Sequence, residues 1–464
     1  MTFSDTSVSI DGMLVDSATI AGILREAKER PAVVELTFRN VAIDRIVVAA
    51  LQDLLLQHAK QTKWQKLETI HCTGEIGAVI RAVTSNDCVQ QFCFTGSVPI
   101  AHNPRYSLDA PSLQALGRAM QRPNSKTLTC LNLKGTRLTQ HGLTLLSDGL
   151  SKSSSLQTFR MSHCAMEASD ISILASALGQ NRHLTVLLLA HCKLNGDDHA
   201  DNFALLLEGL IHHPTLQCVN IYGMTCRPRA TQALADMLTR SSSPCQLWHL
   251  GLKNNLNQPE DKLDVTSLIQ ALRTNTTLTN LQLSGNNVHD DDMEPLADIL
   301  AHHNTTLKGL GLTANNIGSA GLRSFATRLA DMRGLRFLDV QRNHFDVDAK
   351  EEIIAALQNN MELERLDLDG TYHEQKSFYL GLNKGGRRLL LNSNAPLALW
   401  PLVLERASKL TFGRNRPFAH LDVLYCLVRG PALFQPTKRR RDHHQLQEEQ
   451  QPNPSKRRRL DTTR

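Results

Sequence analysis

Along this chain, short stretches in which apolar and polar residues alternate give way to longer ones in which apolar residues recur every three or four positions. Period two predicts β-strands and the longer period predicts amphipathic helices. The alternating stretches align with one another. "HLTVLLLAHCKL" (183–194) superposes on "TLTCLNLKGTRL" (ending at Leu138), "SLQTFRMSHCAM" (Met166), "TLTNLQLSGNNV" (Val288), "TLKGLGLTANNI" (Ile317) and "GLRFLDVQRNHF" (Phe345). Their opening apolar residues, with those of three further units, are Leu128, Leu156, Leu184, Leu216, Leu247, Leu278, Leu307, Leu335 and Leu363. The steps of 28, 28, 32, 31, 31, 29, 28 and 28 residues define nine units.

Helical periodicity fills the intervals, as in "DISILASALGQN", "EPLADILAHHN", "LRSFATRLADM" and "KEEIIAALQNN". Acidic residues precede several of these segments ("HDDDMEP", "DVDAKEE"), where they favour a helix N-terminus. A strand, a turn and a helix cannot bury their apolar faces alone, so neighbouring units must stack.

Most of the aligned stretches fit L-x-x-L-x-L-x-x-N/C-x-L, with Thr136 as an exception at the N/C position. The pattern resembles leucine-rich repeats, and the unit length with full helices resembles the ribonuclease-inhibitor-like subfamily. The clear resemblance covers residues 128–372. It implies an α/β solenoid, a curved leucine-rich-repeat horseshoe with parallel strands on the concave face and helices on the convex face. Units across residues 184–277 are slightly expanded. Upstream, residues 1–127 hold degenerate repeats and a cap, with strands at "VVELTFRNVAI" (33–43), "LETIHCTGEI" (67–76) and "VQQFCFTGSVPI" (89–100) and helices near 17–30, 44–61 and 74–85. Residues 373–434 predict two or three short helices that cap the last repeat, with Trp400 and Phe434 available to cover it. Residues 435–464 predict a disordered tail, having almost no apolar residues.

At the ninth position, Cys164, Cys192, Asn255, Asn286, Asn315 and Asn343 are expected to point inward and tie down the turn backbone. This reads Cys192 as structural. A zinc site would need about four nitrogen or sulfur ligands around one point, and the nearest approach is Cys164, Cys192, His163 and His191. The expected outward residues are Arg160, His163, His191, Tyr222, Trp248, His249, Lys253, Gln282, Arg336, Asp339, Arg342, Arg365 and Asp367, with Trp248 and Arg336 at strand edges. Tyr, Trp and Arg dominate interface hot spots, so the expectation is a non-enzymatic scaffold or adaptor binding a protein partner of unknown identity, without cofactor or metal.

Charge sharpens this reading. The formal net charge of +6 includes nine Lys/Arg and four Asp/Glu in residues 435–464, which leaves 42 against 41 for residues 1–434. The body therefore carries no global nucleic-acid signature. Two basic clusters, Lys438, Arg439, Arg440 and Arg441, then Lys456, Arg457, Arg458 and Arg459, resemble nuclear import signals. They imply importin as a partner and a nuclear location, with a cytoplasmic pool. Nucleic acid enters only through this tail. Ten cysteines without a CxxC pair and no signal-like start favour reduced thiols, so the sequons at Asn275 and Asn304 are expected to stay unmodified. No run of about 18 apolar residues exists to cross a membrane.

Two functional alternatives remain. "FTG" (94–96) looks like part of a segment of RanGAP-type activators of small GTPases, although Ser97 stands where an arginine would help. Ubiquitin-ligase substrate receptors also carry such repeats, but no F-box or elongin-binding box is evident here. "YHEQKS" (372–377) lacks the second histidine of a zinc protease, and "GLNKGGRR" (381–388) is not a phosphate loop.

Overall fold

The computed structural model describes residues 2–390, apart from 13–14, 31, 59–63, 86–88, 97–105, 122–127, 196–198, 225, 227, 240–245, 254–263 and 371–373, together with 402, 405 and 406. It divides into two units, Met1–Tyr372 and His373–Arg464.

The first unit is a leucine-rich-repeat solenoid. Thirteen parallel strands run in chain order across one sheet: Ser7–Asp11, Glu35–Arg39, Trp64–Ile70, Val89–Thr95, Cys130–Lys134, Thr158–Ser162, Val186–Ala190, Cys218–Tyr222, His249–Lys253, Asn280–Gln282, Gly309–Gly311, Phe337–Asp339 and Arg365–Asp367. Thr2–Phe3 closes the first edge antiparallel to Ser7–Asp11. A helix follows each strand but the last, and successive helices pack on one another. The nine predicted units are all present, and the three upstream helices are Ser17–Lys28, Arg45–His58 and Ile76–Ser85. The strand Ser7–Asp11 is an addition to the expectation. Its opening position is Asp5, where later units place Val33, Trp64, Val89 or leucine.

Register explains the alternation. The second strand position, counted from Lys66 and Gln91 in the two seven-residue strands, stacks Val8, Leu36, Leu67, Phe92, Leu131, Phe159, Leu187, Val219, Leu250, Leu281, Leu310, Leu338 and Leu366 into one buried column against the helices. First, third and fifth positions face the other way and form the concave face. Acidic caps hold the helices as expected: the Asp346 carboxylate accepts from the Ala349 amide at 2.7 Å, and Asp292 accepts from the His289 amide at 3.0 Å.

A second inward ladder runs three residues before several of the units. The Oδ1 atoms of Asn181, Asn275, Asn304 and Asn360 accept from the amides of Leu184, Leu278, Leu307 and Leu363 at 2.7–2.9 Å. Their Nδ2 groups donate to Leu150, Leu238, Leu272 and Leu329 carbonyls. The amides of both sequon asparagines, Asn275 and Asn304, are thus buried and engaged, which closes them to glycan attachment in the folded chain. His213 holds the same place and is fully buried.

In the second unit, the helices Glu374–Gly385 and Arg387–Leu390 are described. Phe378 and Tyr379 are buried in contact with each other, and the Arg387 guanidinium lies 5.6 Å from the Tyr379 ring. The "GLNKGGRR" segment lies within these helices and the bend between them. Trp400, Phe434 and both basic clusters (Lys438–Arg441 and Lys456–Arg459) lie outside the described residues.

Candidate functional site

At mid-arc, outward side chains from two adjacent strands form one polar cluster. Asn220 is its hub. Its Nδ2 donates to Cys218 Sγ at 3.3 Å, and its Oδ1 accepts from Tyr222 Oη at 2.8 Å. His249 Nε2 lies 3.0 Å from the same Oδ1. Because an amide oxygen only accepts, His249 must present Nε2–H there. Burial and the nearby Lys253 ammonium lower the His249 pKa, which favours the neutral ring. Lys253 Nζ in turn sits 5.5 Å from the Tyr222 ring, a cation–π contact.

Gly251 makes room for this arrangement. A Cβ at that position would stand 2.2 Å from Asn220 Oδ1. Trp248 immediately precedes the strand, 44% exposed, with its ring 5.5 Å from that of His249. Its backbone carbonyl takes the amides of Thr279 and Asn280, so the indole projects from a pinned main chain. The cluster is therefore ordered before any ligand arrives and presents a large aromatic surface beside it.

His163 and His191 share one structural role. Both have positive φ, 50° and 49°, as do His71, Asn40, Ala314 and Arg342 at the same place in their units. This residue turns the chain out of the strand while its amide extends the ladder: His163 donates to Ala190 and His191 to Tyr222. The two imidazoles stack at 5.0 Å with 15° between planes. The next residue in the column is Gly223, where a Cβ would meet His191 Nδ1 at 2.1 Å. His191 thus lies over a glycine at the rim of the cluster.

Cys192 and Cys164 point inward, as expected for packing. The Cys164 thiol donates to the Leu133 carbonyl at 3.4 Å, and Cys192 Sγ is 3.6 Å from the Ala190 carbonyl. Contact with Cys192 and burial raise the Cys164 pKa well above its ordinary value, which keeps the thiol protonated. Burial likewise pushes Cys226 to about 12. Among the described residues, no group of three or more His, Cys, Asp or Glu is arranged to hold a metal ion.

The remaining predicted residues divide. Arg160 and Gln282 lie on the open face in the same register column as Asn220. Toward the C-terminal end, charges pair internally. Arg365 bridges to Asp367 at 2.6 Å and stacks 4.9 Å from the Phe337 ring. Arg336 lies 3.8 Å from Glu364. The Arg342 amide donates to the Asp369 carboxylate, and the Asp339 carboxylate takes the Gln341 amide. Each of these residues makes a contact within the C-terminal strands and their turns rather than with the mid-arc cluster. Asn255 lies outside the described residues. Of the GTPase-activator segment, Phe94 is fully buried at the end of its strand, and Ser97 lies outside the described residues.

Sequence reasoning missed Asn220, Cys218 and Gly251. All stand at outward strand positions, so period two alone marked their direction. The hub was overlooked because an uncharged amide carries no chemical flag until its partners are known.

The TMOD/LMOD leucine-rich domain family matches residues 241–378. Among solved structures, the chain is similar to a Caenorhabditis elegans tropomodulin C-terminal domain, with 15% identity over 34% of this chain and 96% of that one and a TM-score of 0.30. It is also similar to leiomodin-1 actin-binding site 2, with 17% identity over 42% of this chain and 94% of that one and a TM-score of 0.28. No curated protein matches the chain.

Proposed function

We propose that this chain is a non-enzymatic adaptor that binds a protein partner at mid-arc on its concave face. The observation that carries this reading is the Cys218–Asn220–Tyr222–His249 cluster beside the exposed Trp248. A preordered site loses little entropy on binding, and Tyr and Trp are hot-spot types. Units of 28–32 residues with full helices support assignment to the ribonuclease-inhibitor-like type of repeat. We assign residues 373–434 to a C-terminal cap and residues 435–464 to a tail whose clusters engage importin and place the protein in the nucleus. Replacing both clusters with glutamine in a fluorescent fusion should shift it to the cytoplasm.

The test of the binding face is a pull-down with mass spectrometry, comparing the parent chain with Tyr222→Ala/Trp248→Ala. A partner lost only from the double variant supports the face. Identical partner sets remove it. Actin serves as one defined probe, because the leiomodin fragment is described as an actin-binding site.

A further inference from the structure

The five strands from Cys130–Lys134 to His249–Lys253 read CLNLK, TFRMS, VLLLA, CVNIY and HLGLK. They contain three cations, Lys134, Arg160 and Lys253, and no carboxylate. All three cations occupy outward positions, and Arg160 is exposed. None makes an ion pair among the described residues. The contrast with both ends of the sheet is sharp: Lys66 pairs with Glu68 at 2.6 Å, and Arg365 with Asp367 at 2.6 Å. Between the central cations stand two apolar outward residues, Val186 and Leu188, both only partly covered. Leu188 is in direct register with Arg160 on one side and Asn220 on the other.

We propose that this central stretch takes an acidic segment of a protein partner that carries an apolar anchor. The proposal rests on the concave face being the binding face. Lys134, Arg160 and Lys253 meet carboxylates on the segment, and Val186 and Leu188 receive its apolar side chain. Four strand spacings span about 19 Å, the reach of roughly six residues of extended chain. A polypeptide fits better than a nucleic acid backbone. Cations here are sparse and separated by an apolar patch, whereas polyanion tracks are lined by closely spaced Lys and Arg. These cations also have no salt bridge among the described residues to break when a partner's carboxylates arrive.

The test is a random dodecapeptide display selection on the full chain, with Lys438–Arg441 and Lys456–Arg459 changed to glutamine so that the tail cannot capture acidic probes. The expected winners are net negative, with Asp or Glu flanking an apolar residue. Their affinity falls about tenfold or more in Lys134→Glu/Arg160→Glu/Lys253→Glu and between about 50 mM and about 300 mM salt. If that variant loses its circular dichroism signature, the corresponding triple glutamine variant replaces it. Neutral or basic winners that are lost in Tyr222→Ala/Trp248→Ala overturn the acidic assignment and leave the concave face standing. Winners indifferent to both variant sets overturn both readings. An empty selection, or binding of poly(U) alone that is lost in the charge variant, also overturns the peptide proposal.

Discussion

Two stretches of the solenoid solve the same backbone problem by different means. After most strands the chain turns through a left-handed residue, and the peptide groups beyond it must be satisfied away from water. From Asn286 onward an asparagine amide does this. Asn315 Nδ2 donates to the Leu283 and Leu312 carbonyls at 2.9 and 2.8 Å, and its Oδ1 accepts from the amides of Asn286 and Val288 at 2.9 and 3.2 Å. Earlier units carry Thr136, Cys164 and Cys192 there, and a hydroxyl or thiol has one hydrogen to donate where an amide has two. Their turns pair with each other instead: Thr136–Arg137, Ala165–Glu167 and Lys193–Asn195 form a second parallel ladder. The strands from Cys130–Lys134 to His249–Lys253 are five residues long and the four that follow are three. Asparagine side chains serve the later turns, and main-chain pairing between neighbouring turns joins the earlier ones.

The largest test of this contrast is Asn315→Ala. Removing the amide leaves the Asn286 and Val288 N–H groups and the Leu283 carbonyl without this partner, while the Leu312 carbonyl keeps Asn343 Nδ2, which should cost about 3 kcal/mol. Cys164→Ala leaves the surrounding main-chain ladder intact and should cost about 1 kcal/mol. Urea unfolding of the two variants measures both. Equal losses would show that the second ladder does not substitute for the amide.

The second inward ladder offers the next test, because His213 stands where Asn181, Asn275, Asn304 and Asn360 stand in other units. Burial, then the charge of Arg182, lowers the His213 pKa from 6.5 to about 4. The unfolded chain takes up a proton near pH 6.5, and the folded chain resists until about pH 4. His213 therefore costs nothing above pH 6.5 and destabilises progressively as pH falls from 6.5 toward 4, by roughly 2 to 3 kcal/mol. His213→Asn should remove this dependence and match the stability of the parent at pH 7.5 or exceed it. Thermal unfolding across pH 4.5–7.5 gives the comparison. A parent and variant that lose stability in parallel would place the acid sensitivity elsewhere.

Much of this was legible in the primary structure. The nine leucines from Leu128 to Leu363 announce the period because each fills the same buried column, and burial tolerates little else. Helix limits were read to within a few residues from apolar spacing and caps. Ser7–Asp11 was not legible because Asp5 replaces the opening apolar residue, although Val8 and Ile10 keep the alternation. The binding face was legible only in direction. Charged and aromatic residues stood out, yet Arg336, Arg342, Asp339, Arg365 and Asp367 prove to be engaged locally, while the uncharged Asn220 organises the centre. Which polar group meets which depends on register between strands some 30 residues apart, and no single unit contains that information.

The smallest expected effect on stability has the most specific effect on function. Gly251 and Gly311 both stand in the third-position column, opposite Asn220 and Gln282, and a Cβ would approach those side-chain oxygens to 2.2 and 1.9 Å. Gly251→Ala must push Asn220 out of its contacts with Tyr222 and His249. Gly311→Ala has only the free end of Gln282 to displace. Both glycines are buried beneath those side chains, and in each variant a side chain rather than main chain gives way, so each should alter stability by about 1 kcal/mol. Only Gly251→Ala should reduce partner capture in the pull-down, by about tenfold if Tyr222 and His249 act as an ordered unit. If both variants bind like the parent, the cluster does not need its preset geometry. If both fail equally, the binding face extends beyond mid-arc into the C-terminal strands.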